Sequence, residues 1–287
     1  MPRKPRFDDD EPRFQSSRKQ TISYDVYEEA IPGGGDRWST WDQSTPLERG
    51  PEPRPDWVVT DLGAVDIEYG VLKTGKEADV FLLRREVPET DRSTLLAAKR
   101  YRGSEHRQFH RDAGYLEGRR MRRSREMRAM TNRTGFGKEL IAGQWAAAEF
   151  GALSQLWSLG VSVPYPVQIT GTEVLLEFVG EPDGTAAPRL AQVRDGLADL
   201  WRQLEFMLVV LARAGLAHGD LSAYNLLVHR GTLVMIDLPQ VVDVIANPQG
   251  PRFLERDAAN IGTWFAAQGV PGTDALGPLL HAEAGLR

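Results

Sequence analysis

Three residues close in sequence carry the chemistry of this chain: Asp220, Asn225 and Asp237. The first two sit in the polar run His218-Gly219-Asp220-Leu221-Ser222-Ala223-Tyr224-Asn225. The third ends the apolar run Leu233-Val234-Met235-Ile236-Asp237. Between them, Leu226 to His229 is a short apolar stretch and Arg230-Gly231 a turn. This spacing predicts a hairpin that returns the chain and brings Asp237 back beside Asp220 and Asn225. Two carboxylates and an amide converging on one spot suit phosphoryl transfer. One carboxylate can take a proton from an attacking hydroxyl, while the amide and the other carboxylate can hold magnesium on phosphates.

Other elements must present the phosphates to that spot. Val71 to Leu83 reads as strand, tight turn and strand, with Thr74-Gly75-Lys76 able to lay backbone over phosphate oxygens. That signal alone is weak, since a plain hairpin has the same pattern. Thr94 to Tyr101 is an apolar strand carrying Lys99. From Gly137 to Leu159 the apolar residues recur at helical spacing, and Glu149 falls inside the apolar surface. An unpaired carboxylate there would be costly, so Lys99 is its expected partner. Val161–Ile169 and Glu173–Val179 read as strands joined at Gly171-Thr172, and Leu200–Leu216 as a helix under the polar loop. Further helices are expected over Phe253–Phe265, with Asp257 and Asn260 at polar positions, and near Asp274–Glu283.

Composition narrows the class. The chain has 287 residues, 41% of them hydrophobic, a net charge of −5 and no cysteine. Disulfides, thiol catalysis and Cys-ligated zinc are excluded. No stretch is apolar enough to span a bilayer, and the charged start lacks a secretory signal, so no membrane partner and a cytoplasmic setting are expected. Residues 1–57, rich in Arg, Asp, Glu, Pro and Gly, are predicted to form a disordered or loosely attached arm, tempered by Trp38, Trp41 and Trp57. The folded part is placed at 58–285. Residues 102–138 hold 11 Lys/Arg against four Asp/Glu, densest at Arg119-Arg120-Met121-Arg122-Arg123. They read either as a solvated loop or as a surface for RNA phosphates.

In this order, the pieces resemble the RIO family of atypical serine/threonine protein kinases over roughly 60–285. The resemblance rests on Thr74-Gly75-Lys76-Glu77-Ala78-Asp79-Val80, Lys99-Arg100-Tyr101, Trp145-Ala146-Ala147-Ala148-Glu149 and Leu176-Glu177-Phe178-Val179-Gly180. It rests also on the Asp220 loop with its S-x-Y-N ending, on Ile236-Asp237-Leu238-Pro239-Gln240, and on Phe253-Leu254 with Arg256-Asp257 and Asn260. It implies an α+β, two-lobed protein-kinase-like fold: a small β-rich N-lobe, about 58–178, and a reduced helical C-lobe, about 179–285. ATP would lie between the lobes. Asp220 would be the catalytic carboxylate. Asn225 and Asp237 would hold magnesium, with manganese as an alternative ion. Lys99, paired with Glu149, would hold phosphate oxygens, aided by Thr74, Gly75 and Lys76. Backbone groups of Glu177 and Val179 would meet the adenine edge, and Val80, Ala97 and Leu227 its faces. The basic segment falls where the family carries a loop that can be autophosphorylated, offering Ser104, Ser124, Thr131 and Thr134.

Departures from the pattern are specific. The family's usual S-T-G is Lys73-Thr74-Gly75 here, removing one possible phosphate-contacting hydroxyl, and Asp79 stands where Asn is common. Gly219 replaces the arginine of other kinases, and only 50 residues follow Asp237; both features suit the family. The reading is therefore an ATP-dependent kinase acting on a Ser/Thr protein acceptor and on itself. Two alternatives stand beside it. One is a slow ATPase switch riding on RNA or a ribosomal particle through segment 102–138. The other is a small-molecule phosphotransferase of aminoglycoside-kinase type, disfavoured by the short span between Val179 and His218.

Overall fold

The computed structural model describes residue 31, residues 34–103 and residues 135–286, the side chains of 135–138 excepted. Residues 1–30 of the predicted arm and most of the basic segment, with Ser104, Ser124, Thr131 and Thr134, lie outside the described residues.

An antiparallel sheet forms the N-lobe, with period-two burial clearest on its central strand β4 (Ser93–Tyr101). Strands β2 (Val65–Thr74), β3 (Ala78–Glu86) and β4 (Ser93–Tyr101) form an antiparallel meander. On β4, Leu96 and Ala98 are fully buried against one face of the sheet, so Ala97, Lys99 and Tyr101 take the other. Strand β6 (Glu173–Glu177) pairs with β4 in the register Lys99↔Val174, and β5 (Pro166–Thr170) lies outside it. With β1 (Arg37–Trp38) on the far side, the order is β1-β2-β3-β4-β6-β5. The strand expected from Val161 starts only at Pro166. Pro164 and Pro166 have no amide hydrogen to give a ladder, so 161–165 stays outside the strand, with Val161, Val163 and Tyr165 buried.

Helix α1 (Gly135–Ser158) lies against the sheet through Ala142, Trp145, Ala146, Glu149, Phe150, Leu153 and Leu156, all buried at helical spacing. In the C-lobe, α2 (Leu197–Arg213) buries Leu197, Leu200, Trp201, Leu204, Met207, Leu208 and Leu211. Gly215, at φ 70°, turns the chain out of that helix. Strands β7 (Leu216–Ala217), β8 (Leu226–His229), β9 (Thr232–Met235) and β10 (Val242–Asp243) follow, β8 pairing with β9 and β7 with β10. Helices α3 (Gly250–Ala267) and α4 (Leu276–Glu283) close the lobe, Trp201 meeting Phe265 edge-on at 5.0 Å.

The expected boundary at residue 57 needs correction. From about Asp36 the chain is already part of the N-lobe. Arg37 and Trp38 pair with Asp66 and Val65 on β2, at one edge of the sheet. At the other edge, Arg49 bridges to Gln168 and the Gly50 N–H bonds the Val167 carbonyl at 3.0 Å. Between these points Trp41 is buried in a cluster with Val58, Leu83, Leu96, Ala98, Tyr165, Val167 and Leu175, and Trp57 meets Tyr165 edge-on at 5.9 Å. Gly50 is obligatory, because a Cβ there would sit 2.0 Å from the Pro166 carbonyl oxygen. Two of the charges that suggested solvation, Arg37 and Arg49, are engaged with the fold. Arg37 pairs with Asp66 and Glu173, and Arg49 stacks 4.7 Å from the Trp41 ring. Beneath them Arg85, fully buried, bonds Asp66 at 2.7 Å and the Gln168 side chain at 2.7 Å. Such pairing makes a polar segment compatible with burial.

Candidate active site

The open face of the sheet, the hinge after β6 and the β8–β9 hairpin enclose a cleft of about 640 Å³. Its walls include Lys73, Gly75, Lys76, Val80, Ala97, Lys99, Glu149, Glu177, Val179, Leu227 and Asp237. Of the predicted nucleotide-side residues, Thr74 alone is absent from this lining. Asp220 and Asn225 are on the adjoining loop.

At the inner end, Lys99 from β4 meets two acids. Its ammonium bonds Glu149 Oε1 at 2.6 Å and Asp237 Oδ1 at 2.7 Å. Burial opposes the ammonium charge, but Glu149 and Asp237 outweigh it and raise the lysine pKa. Burial likewise pushes the Asp237 carboxyl up, and the Lys99 charge and hydrogen bond more than reverse this, leaving it below its ordinary value. Glu149 is further held by the Tyr101 hydroxyl, which donates to Oε2 at 2.5 Å, and by the Leu238 N–H at 3.4 Å from Oε1. Burial first, and then the Glu149 charge, drive the Tyr101 phenol well above its usual range, so it stays a donor.

The Asp220 loop is built from below. Asp257 on α3, buried, accepts the Gly219 N–H at 2.7 Å on one oxygen and the Leu221 N–H at 3.0 Å on the other. These bonds flank Asp220, whose carboxylate is left exposed to solvent. Arg256 donates to the Gly219 carbonyl. Gly219 has φ 85°, and a Cβ would lie 2.1 Å from the Gln240 carbonyl oxygen, so no arginine fits before Asp220. His218, buried, contacts the Ile236 carbonyl through Nε2 at 3.2 Å and receives the Asp220 N–H on Nδ1 at 3.3 Å. Asn225 Nδ2 donates to the Asp220 carbonyl at 2.8 Å, and the Asn225 carbonyl accepts the Ile236 N–H at 2.9 Å. The loop and the end of the β8–β9 hairpin are thereby tied together. Asp237 follows in the left-handed region at φ 67°, which turns its carboxylate toward Lys99.

Two contributors went unassigned in the sequence. Tyr101 was legible only as part of a motif, although two residues after Lys99 on a strand means the same face. Asp257, expected at a polar position, is instead buried in the stripe of α3 with Leu254, Ala258, Ile261 and Phe265, where the two loop N–H groups make its burial tolerable. At the hinge, the Glu177 N–H bonds the Tyr165 carbonyl at 2.9 Å and the Val179 carbonyl accepts the Ala187 N–H at 3.0 Å. The Val179 N–H makes no backbone hydrogen bond among the described residues.

A family model for the RIO domain matches residues 89–276. The RIO-type serine/threonine-protein kinase Rio1 of Haloferax volcanii is 34% identical over 220 residues, covering 76% of this chain and 69% of its own. Serine/threonine-protein kinase RIO1 of Saccharomyces cerevisiae is 28% identical over 234 residues, and the match covers 74% of this chain and 46% of the yeast protein. Among solved structures, the Rio2 kinase of Chaetomium thermophilum superposes with a TM-score of 0.53 at 21% identity, over 74% of this chain and 63% of that one. Its ADP/Mg2+–phosphoaspartate complex gives 0.52 at 21% identity, over 76% and 66%. The two-lobed, kinase-like α+β fold is thus shared with these structures.

Proposed function

The chain belongs to the RIO family of serine/threonine-protein kinases, and from that premise we propose that it transfers the γ-phosphoryl group of ATP to Ser or Thr hydroxyls, its own included. The observation that carries this reading is Lys99 held between Glu149 and Asp237 at the inner end of a cleft that adjoins the Asp220 loop. Lys99, kept charged, would hold phosphate oxygens. Val80, Ala97 and Leu227 would sandwich the adenine, with the Val179 N–H and the Glu177 backbone on its edge and Gly75 and Lys76 over the phosphates. Asp220, exposed on a loop fixed from behind, would take the proton of the acceptor hydroxyl.

Asn225 and Asp237 would hold magnesium, which supplies neutralisation of phosphate charge. The donor set fits: Asn225 spends its amide nitrogen on the Asp220 carbonyl, leaving Oδ1 as acceptor. Among the described residues no group of three or more His, Cys, Asp or Glu gathers into a cage. The other ligands would therefore be phosphate oxygens and water, the usual arrangement for this ion. Manganese suits the same donors.

β4 ends at Tyr101, which lines the cleft, so the chain departs toward residues 104–134 from the reacting end. That supports Ser104, Ser124, Thr131 and Thr134 as acceptors, with turnover below the usual kinase range of about 1–100 s⁻¹. RNA or a ribosomal particle as partner of segment 102–138 rests on its charge alone. RNA binding at two salt concentrations checks it.

The test of the reading is label transfer from ATP with magnesium, to the protein itself and to added protein acceptors. Asp237→Ala should abolish transfer. Asp220→Asn should keep ATP affinity and lose on the order of 10²-fold or more in rate. Equal rates in wild type and both variants would overturn it.

A further inference from the structure

Lys73 takes no part in the roles assigned above, yet it lines the cleft. A break in the β2–β3 register lies between Val71 and Lys73. In a regular strand Leu72 and Lys73 would face opposite sides; with the irregularity both line the cleft. Lys73 is N-terminal to the span 89–276 that matches the RIO domain, and it stands where the resembling motif has a hydroxyl. On the C-lobe side of the same cleft is Arg189. Its guanidinium donates to the Tyr224 carbonyl, its N–H to the Gln192 side chain at 3.0 Å, and its backbone bridges to Leu227. Among the described residues neither Lys73 nor Arg189 makes an ion pair with a carboxylate.

The field at this mouth is mixed, and among the described residues it lacks a direct counter-ion. Asp237 and Glu77 attract Lys73, while Arg189 and Lys99 repel it. Burial, followed by the Arg189 charge, lowers the Lys73 pKa. Like charges on opposite walls of a cleft, each without a paired carboxylate, are relieved by an anion between them. A lysine on a flexible stem binds phosphate as a point charge, and an arginine fork binds it with two parallel hydrogen bonds.

We infer that Lys73 and Arg189 form a cationic clamp across the cleft mouth that grips the polyphosphate of the bound nucleotide, a charge replacing the motif's hydroxyl. The clamp rests on the nucleotide reading of the cleft and adds two phosphate contacts, one from each lobe. Lys73 should then respond to the charge of the ligand, not to its base.

The experiment is calorimetric titration of the full chain, with magnesium present, by ATP and by uncharged adenosine. Lys73→Ser should weaken ATP about tenfold, the scale of one charged hydrogen bond at an open rim. Adenosine affinity should not change, and Lys73→Arg should bind ATP as wild type does. Since Arg189 also holds the Tyr224 carbonyl, Arg189→Gln is read through coupling: combined with Lys73→Ser, the loss in ATP affinity should differ from the sum of the two single losses. ATP affinity within twofold of wild type in Lys73→Ser would overturn the clamp while leaving the nucleotide site intact. Equal weakening of ATP and adenosine would overturn it too, because the effect would then not lie at the phosphates. If wild type bound neither ligand, the nucleotide site and the clamp would fall together.

Discussion

Tyr101 is the residue whose role is most easily isolated, since Tyr101→Phe removes one hydroxyl and nothing else. Glu149 would keep Lys99 and the Leu238 N–H but lose the 2.5 Å bond on Oε2, inside a buried pocket. An unsatisfied acceptor there costs about 1–3 kcal/mol. We expect a lower melting temperature and, with Lys99 less firmly placed, single-turnover transfer reduced about tenfold at subsaturating ATP. A variant with lower stability but unchanged transfer would assign Tyr101 to packing alone. Asp237 gives a pH signature. Its folded pKa is depressed, so the stability it gains from Lys99 is present above the unfolded carboxylate value of about 3.9 and is lost as pH falls through the lower folded value. The melting-temperature gap between wild type and Asp237→Asn should therefore hold from neutral pH down to about 5 and close below about 4. At this scale the sequence was informative where a charge broke an apolar pattern: Glu149 within the α1 stripe called for a partner, and Lys99 is that partner. Tyr101 was silent because a tyrosine at the end of an apolar strand breaks no pattern.

Among elements, α3 serves the loop more than the core around it suggests. Its Asp257 carboxylate gathers two N–H groups on either side of Asp220. Asn at 257 would accept one of them and turn an NH₂ donor against the other. Asp257→Asn should leave ATP binding close to wild type, because the cleft lining does not include this residue. The same variant should slow transfer by about 10²-fold, the penalty for small misplacement of a reacting group. Loss of ATP affinity equal to the loss of rate would instead point to general unfolding. Helices and the β8–β9 hairpin were readable to within a few residues because their apolar periods are long or their turn residues are unambiguous. The strand before Pro166 was misjudged for a local reason: valines at alternate positions mimic a ladder, but prolines within it cannot donate to one.

For the whole molecule, the least legible part was residues 36–57. Composition assigned them to solvent, since Arg, Asp, Pro and Gly give no period. Their order comes from partners far away in sequence: Asp66 and Glu173 for Arg37, the Trp41 ring for Arg49, and the Val167 carbonyl for Gly50. Long-range pairing of that kind leaves no local trace. Trp41→Ala should lower stability by about 3–5 kcal/mol, as large-to-small changes do in a packed cluster, and leave the ATP KM unchanged because Trp41 lies on the face of the sheet away from the cleft. Denaturant midpoints beside ATP titration check both statements.

Residues 37–50 also cover both margins of the five-strand run β2-β3-β4-β6-β5, β2 through Arg37-Trp38, which add the sixth strand, and β5 through Arg49-Gly50. A sheet that ends in open strands is a template for another chain, and a segment engaged at both borders occupies part of each template. Removing residues 1–50 would then expose two sets of unpaired amides and carbonyls at once, one at each end of the same sheet. Each such molecule could recruit a neighbour on either side, so the product should be linear, concentration-dependent assemblies rather than unfolded monomers. Light scattering that rises with protein concentration in the truncated form, and stays flat when only residues 1–30 are removed, is the expected result.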